Sequence, residues 1–387
     1  MTLTVSVLGA TGSIGRSTAD LLDQHRDRFR VGAVAGGRDA AALARVAIDL
    51  RAGFAAIADP AAGPALAEAL AGTGIACGAG PSAVVEAASR EADIVVAAVS
   101  GAAGLASTHA AIRLGRTVAL ANKESLVCAG AAFMRDAARY GARILPMDSE
   151  HSALAQAIGA GRIEDITRMT ITASGGPFRT AARERIAAAT AAEAAAHPTW
   201  SMGMKINIDS ATMMNKGLEL IEAHHLFAVE PSRLDVVVHP QSIIHALVTW
   251  RDGAVTAELY LPDMRVPIIH CLGLGERLSI ARGRPLDLAA AGSLTFEKPD
   301  EERFPCLRIA KAAMEAGGAQ PTVMNAANEI AVAAFIAGRI GFYDIAALAE
   351  RACEHFAPRF PDAPADVDEA LAIDAEVRHW SQAALAA

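Results

Sequence analysis

The sequence predicts an α/β protein: a Rossmann-type doubly wound parallel sheet, then a mixed α/β domain, then a C-terminal helical bundle. Three observations carry that expectation. Short β-rich runs alternate with Ala- and Leu-rich helical stretches from residue 2 to about 147, the pattern of a βαβ series. Those runs are apolar throughout, without clean alternation, as parallel strands covered on both faces must be. From about residue 301 the pattern is helical, broken at Gly317–Gly318, at Gly341 and across the Pro-rich FAPRFPDAPAD.

The strands of the first series read TVSVLG (4–9), RVGAVAG (30–36), FAAIAD (54–59), DIVVAAV (93–99), RTVALA (116–121) and ARILPM (142–147). After residue 150 the pattern changes. TRMTITASGGPF reads as a strand entering a Gly-rich loop, and the Ala-rich stretch 181–196 is helical by propensity. Pro198 and Gly203 punctuate a loop over 197–205. NIDSATMMNKGLELIEAHHLF reads as one helix, and LDVVVH, IIHALVTW and AVTAELYL read as strands that include an antiparallel element. Residues 275–300 lack sustained periodicity and read as a linker.

Length and composition fit a folded chain of more than one domain: 387 residues, 52% apolar and 20% charged. The formal charge of −8 is spread without a Lys/Arg block, which argues against a nucleic-acid-binding or polybasic membrane surface. Cys77, Cys128, Cys271, Cys306 and Cys353 lie far apart, with no CxxC or Cys/His metal spacing. They fit the reduced, mostly buried thiols of a cytoplasmic protein. No charged n-region precedes the first strand, so no secretory signal is expected. Residues 94–112 hold no Asp, Glu, Lys or Arg, yet their Gly, Ser, Thr and His divide the stretch into strand, loop and helix, not a membrane span.

GATGSIG sets Gly9, Gly12 and Gly15 between the first strand and its helix. Glycines there allow a tight turn and let a pyrophosphate approach the helix N-terminus. The spacing is GxxGxxG, so the strand–turn–helix context carries the reading, against a Gly-rich turn that binds nothing. The second strand ends in Gly36, Gly37 and Arg38, where an NAD enzyme usually needs an acid. An Arg suits a 2′-phosphate and points to NADP; the alternative leaves Arg38 a solvated cation and Asp39 a helix cap.

ANKES (121–125) puts Asn122, Lys123 and Glu124 at a strand end, the edge where open α/β sheets bind ligands; a capped helix start is equally compatible. Ser174, Gly175 and Gly176 can wrap an anion or simply turn the chain. In DSATMMNKGLE, Ser210, Asn215 and Lys216 are donors suited to a phosphate, and Glu219 lies one helical turn beyond Asn215. His197 precedes a loop with Trp200 and Met202, a composition suited to a lid over a flat ring. In LPMDSEHSA, Asp148 and Glu150 are either a solvated turn or half of a metal site. On an extended segment both carboxylates would face one side and can converge on a hard divalent ion.

In this order and spacing, GATGSIG, ANKES, LPMDSEHSA, SGGPF, HPTWSMGMKINIDSATMMNKGLE and HPQSIIHALV closely resemble the 1-deoxy-D-xylulose 5-phosphate reductoisomerase family. The resemblance runs over essentially the whole chain. It implies a cytoplasmic, NADPH-dependent enzyme of non-mevalonate isoprenoid synthesis that uses Mn2+, Mg2+ or Co2+. Its substrate would be a small phosphorylated sugar, rearranged by a retro-aldol/aldol route and reduced to 2-C-methyl-D-erythritol 4-phosphate. The resemblance also implies a homodimer, with neither nucleic acid nor membrane as partner.

Residue by residue, the resemblance implies that Asp148, Glu150 and Glu219 hold the metal. Ser174, Ser210, Asn215 and Lys216 would bind the phosphate and neighbouring hydroxyls, with Ser149 and Lys123 facing the substrate. Thr11, Gly12, Ser13 and Ile14 would contact the cofactor, joined by Gly36, Gly37, Arg38, Asn122 and Glu124. His197, Trp200 and Met202 would belong to the covering loop, and Met202 and Gly203 would also contact the cofactor. Lys123, Asp148, Glu150, His197 and Glu219 form the expected catalytic set. Family members often carry Asn at the place of Arg38 and Lys or Ser before it, where this chain has Gly37. The implied organisation is 1–147 for NADP, 148–274 for catalysis and dimerisation with a mobile loop near 196–206, 275–300 as linker and 301–387 helical. The rival reading is a semialdehyde-type NADP dehydrogenase, which needs a nucleophilic Cys; Cys128 lacks any supporting context.

Overall fold

The computed structural model describes residues 2–200 and 203–386. The first series runs β1 (Leu3–Leu8), α1 (Ser13–Gln24), β2 (Phe29–Gly36), α2 (Ala40–Asp49), β3 (Phe54–Ile57), α3 (Gly63–Ala69), β4 (Ala76–Ala79) and α4 (Pro81–Ser89). It continues through β5 (Ile94–Ala97), α5 (Leu105–Arg113), β6 (Thr117–Leu120), α6 (Glu124–Tyr140), β7 (Arg143–Pro146) and α7 (Ser149–Ile158). Next come β8 (Ile166–Ala173), α8 (Arg183–Ala187), α9 (Ala191–Ala194), α10 (Met204–Ala211) and α11 (Met214–Phe227). Three strands follow, β9 (Leu234–Val238), β10 (Ile244–Trp250) and β11 (Val255–Leu259), then α12 (Arg265–Leu272) and α13 (Leu288–Ala291). The chain closes with α14 (Pro305–Ala316), α15 (Gln320–Ile336), α16 (Phe342–Phe356) and α17 (Val367–Ala384).

The chain divides into two compact units. The first comprises Met1–Ser125, Phe133–Ser149 and Asp263–Arg284; the second comprises Leu126–Ala132, Glu150–Pro262 and Pro285–Ala387. In the first, seven strands pair in the order β4-β3-β2-β1-β5-β6-β7, every pair parallel. Helices cover the strands, so Val5, Val7, Ile94 and Val96 are wholly buried. Strand order reverses between β1 and β5, the switch point at which doubly wound sheets open a crevice at their carboxyl edge.

The Asp263–Arg284 segment departs from the expected boundaries at 274 and 300. It is held in the first unit by Cys271 Sγ against the Pro146 carbonyl (3.3 Å) and by the ion pair of Arg28 with Glu276 (2.6 Å). Strand β4 was not expected. Its ACGA sequence has no β-branched residue and lies at a sheet edge, so neither composition nor alternation marks it.

In the second unit four strands pair as β11-β10-β8-β9. Strand β8 runs parallel to β9, and β10 is antiparallel to β8 and β11. One apolar cluster joins this sheet to α10, α11 and helices α14 to α16 through Met169, Ile171, Ile208, Met214, Leu218, Ala310, Met324 and Ile345. Two expected helices are divided. Thr190 and Glu193 form a capping box that starts α9 afresh within the Ala-rich stretch. Met213, in left-handed conformation (φ 65°), breaks DSATMMNKGLE into α10 and α11. The segment after β7 is also not extended: Asp148 directly precedes α7 and Glu150 sits in its first turn. An acid at that end is favoured by the helix dipole. Residues 94–112 form β5 and α5, and no helix among the described residues is long and apolar enough to cross a membrane.

Candidate active site

In the first unit the Gly-rich turn is shaped by contacts that tolerate no side chain. A Cβ on Gly9 (φ +86°) would lie 2.2 Å from the Ala98 carbonyl oxygen, and one on Gly15 would lie 2.3 Å from that of Gly9. Gly9 thus lets β1 approach the exit of β5, and Gly15 lets α1 pack on its own turn. Gly12 is exposed and N-caps α1 without any side-chain cap, so the first N–H groups of the helix stay available to an anion. Thr11, Ser13 and Ile14 are half-buried around it. Gly36 ends β2 against Thr11 and Leu43, while Gly37 opens onto free space and Arg38 is exposed. Asp39 accepts from Ala42 N (2.9 Å) and caps α2.

ANKES lies at the same carboxyl edge, where β6 passes into α6. Asn122 is 2% exposed, and its side chain is engaged on both ends. Its Nδ2 donates to the carbonyls of Val99 and Gly101 and to Glu124, and its Oδ1 accepts from Ser125 N at 2.9 Å. This one amide ties the loop after β5 to the start of α6. Lys123, buried, pairs with Asp148 at 2.6 Å (Nζ to Oδ2). Ser149 is buried beside it in sequence.

In the second unit, Ser174 begins the loop after β8. His197 Nδ1 accepts from the backbone N–H groups of Trp200 (2.9 Å) and Thr199 (3.2 Å). The ring proton is therefore on Nε2, which donates to Ser174 Oγ at 2.9 Å. Ser174 Oγ also accepts from Gly176 N (3.2 Å), which leaves its own O–H free to donate outward. Burial, with Lys216 nearby, pushes the His197 pKa down to about 4, so the ring is neutral at pH 7. Gly176 (φ +67°) packs on α10: a Cβ there would meet Ser210 O at 3.0 Å.

Helix α11 carries the charged cluster. Lys216 Nζ pairs with Glu219 Oε2 at 2.6 Å and with Glu150 Oε1, and Asn215 donates to Glu219 Oε1. Burial opposes the Lys216 charge, but the two carboxylates outweigh it and raise its pKa. Beneath them His151 Nε2 donates to the Glu219 carbonyl (2.8 Å), and its Nδ1 lies 3.4 Å from Glu222 Oε2. Sequence spacing marks neither this layer nor His245. That ring stacks on Tyr260 (3.8 Å between centroids) and lies 6.0 Å from the Trp200 ring. HPQSIIHALV contains His245, but spacing alone attaches no partner to it. Gly203 N-caps α10, and Met202 falls outside the described residues.

Cys128 is 1% exposed, with Asn325 Nδ2 3.5 Å from its sulfur and Thr322 Oγ1 donating to its carbonyl. No open face remains for a nucleophile's substrate, which disfavours the semialdehyde-type alternative.

An uncapped helix N-terminus at the switch point of a parallel sheet, and a separate unit bearing buried acids and an anion-ready loop, define a dinucleotide-binding enzyme of the Rossmann type. Comparison with known proteins narrows the class. The model of 1-deoxy-D-xylulose 5-phosphate reductoisomerase matches residues 5–130, that of its C-terminal domain matches 144–227, and that of the DXP reductoisomerase C-terminal domain matches 259–380. A Bradyrhizobium 1-deoxy-D-xylulose 5-phosphate reductoisomerase is 56% identical over 375 residues, 97% of this chain and 92% of that one. A Rhodopseudomonas palustris reductoisomerase is 56% identical over 382 residues, covering 98% and 94%. The Zymomonas mobilis reductoisomerase solved with NADPH superposes with TM-score 0.92 at 47% identity, covering 100% and 99%. A reductoisomerase solved with NADPH, fosmidomycin and magnesium gives 0.94 at 40% identity, covering 99% and 98%. The chain belongs to the 1-deoxy-D-xylulose 5-phosphate reductoisomerase family.

Proposed function

We propose that this protein is a metal-dependent, NADPH-using 1-deoxy-D-xylulose 5-phosphate reductoisomerase that produces 2-C-methyl-D-erythritol 4-phosphate for non-mevalonate isoprenoid synthesis. The observation that carries the reading is the α11 cluster, in which Asn215, Lys216 and Glu219 converge with Glu150 beside the Ser174–His197 pair.

In this reading Asp148, Glu150 and Glu219 are the metal ligands. The donor set is all carboxylate oxygen, the chemistry that suits Mg2+ or Mn2+, and the Lys216 ammonium between Glu150 and Glu219 marks a spot that already selects positive charge. A bound divalent ion supplies Lewis acidity toward the substrate's carbonyl and hydroxyl oxygens. NADPH supplies the reducing equivalent for the aldehyde formed by the retro-aldol/aldol rearrangement.

The chain's own residues bind and orient. Ser174, through its outward O–H, together with Ser210, Asn215 and Lys216, receives the phosphate, a remote handle whose binding energy can drive closure of the loop near 196–206. Neutral His197 holds Ser174 and lends no charge to the site. Ser149 and Lys123 face the substrate. Thr11, Gly12, Ser13 and Ile14 receive the pyrophosphate end of the cofactor, Gly36, Gly37 and Arg38 its ribose phosphate. Asn122 and Glu124 would contact the nicotinamide side of the cofactor, and Met202 and Gly203, by family resemblance, are also proposed as cofactor residues. A homodimer is the proposed assembly.

The test is NADPH oxidation, followed by absorbance, on adding 1-deoxy-D-xylulose 5-phosphate and Mg2+ or Mn2+. The expected rate requires all three components. Absence of substrate-dependent oxidation with either metal overturns the assignment.

A further inference from the structure

Helix α15 is buried from Gln320 to Asn328, yet it carries Thr322, Asn325 and Asn328 at three-residue spacing on one face. A buried polar stripe costs stability unless each member is engaged. Thr322 and Asn325 reach Cys128 on α6. Asn328, wholly buried, donates from Nδ2 to Asp209 Oδ1 at 2.9 Å.

Asp209 is itself 1% exposed, a carboxylate in the middle of α10. Its other oxygen pairs with Lys205 Nζ one turn earlier, at 3.0 Å. Its carbonyl accepts from Thr212 Oγ1 (3.2 Å), and that hydroxyl accepts from Met214 N (3.3 Å). Asp209 thus ties the last turn of α10 to α15, and Thr212, donating to the Asp209 carbonyl and accepting from Met214 N, carries that hold across the corner where Met213 turns left-handed and α11 begins. Ser210 lies on one side of this corner; Asn215 and Lys216 lie on the other. A buried carboxylate with a neutral donor from a distant helix is a strong, directional anchor.

We infer that Asn328 and Asp209 are positioning residues for the phosphate site: α15 fixes the α10–α11 corner so that Ser210, Asn215 and Lys216 present their donors together. The inference rests on the phosphate role proposed above. It also gives the C-terminal helical segment a part in substrate recognition.

The experiment compares the parent with Asn328→Ala, Asn328→Asp and the swapped pair Asn328→Asp with Asp209→Asn, all as full-length protein with NADPH and Mg2+. Calorimetry reads the affinity for inorganic phosphate, and kinetics read KM for the phosphorylated substrate and half-activation by Mg2+. Asn328→Ala is expected to weaken phosphate binding and raise KM together by roughly tenfold to a hundredfold, with Mg2+ activation within about twofold. Asn328→Asp sets carboxylate against carboxylate and loses more. The swapped pair restores one hydrogen bond and recovers most of that loss. Unchanged phosphate affinity in a folded Asn328→Ala overturns the inference. Where Asn328→Ala does not fold, failure of the swap to recover phosphate affinity over Asn328→Asp overturns it. A parent without turnover would defeat the proposed function instead, while the calorimetry still decides this one.

Discussion

Replacing Lys216 with Met keeps the buried stem and removes the charge that Glu150 and Glu219 share. The side chains of Lys216, Glu150 and Glu219 are 7%, 14% and 2% exposed, so solvent screens little of what is lost. Breaking a buried ion pair by removing one partner costs about 3–5 kcal/mol, because the remaining charge is left uncompensated. For a unit of this size that is a fall of roughly 6–20 °C in the unfolding midpoint. The assay can be confined to the second unit, because Trp200, Trp250 and Trp380 all lie in it and their fluorescence reports on that unit alone. Midpoints are measured in chelator and again in millimolar Mg2+. If Glu150 and Glu219 are metal ligands, the ion substitutes for the missing ammonium, and Mg2+ should raise the midpoint of Lys216→Met by more than that of the parent. Equal midpoints in chelator would refute the buried-pair argument. A Mg2+ shift no larger than the parent's would refute the ligand assignment.

Two further outcomes follow from other parts of the second unit. Burial, with His224 beside it, pushes the His225 pKa from 6.5 down to about 4, so its neutral form is favoured in the folded state. Stability is then complete above pH 6.5 and falls as pH drops toward 4, by up to about 3 kcal/mol before solvent screening of this partly buried ring. Urea midpoints at pH 7 and pH 5 should show that slope in the parent and a flatter one in His225→Leu; equal slopes exclude His225 as its source. Gly176→Ala forces a left-handed Ala, costing roughly 1–2 kcal/mol, and drives a methyl toward Ser210 O at 3.0 Å. KM for the phosphorylated substrate should rise by about tenfold while NADPH affinity, read by fluorescence titration, is unchanged; the opposite pattern would separate this loop from the phosphate site.

Much of the fold was legible because its strands announce themselves. VGAVA and IVVA are continuous apolar runs and VSVL is broken only by Ser6, and six of the seven parallel strands carry such a signal. The seventh, ACGA, is too small and too exposed to give one. The helix errors share one cause. The break in the Ala-rich stretch depends on a capping box at Thr190 and that in DSATMMNKGLE on a left-handed Met213, neither of which per-residue propensity encodes. At the candidate site, residues within one motif were found together, because a helical turn sets their distance: Asn215, Lys216 and Glu219 are the example. Asn328 was not found. It lies 119 positions from Asp209, in a helix whose pattern reads only as core.

The charge arrangement explains why the acids of LPMDSEHSA coexist with a stable fold. Two uncompensated carboxylates at such spacing would repel one another. The chain avoids this by giving acids on each side of the Ser149–Glu150 boundary a lysine from their own unit: Lys123 for Asp148, Lys216 for Glu150 and Glu219. On the proposed function, a divalent ion held by Glu150 and Glu219 would displace or share with the Lys216 ammonium already between them. On that reading its affinity would be set by a difference between two cations and not by the bare attraction of the carboxylates, which favours a metal that exchanges over one locked permanently into the fold.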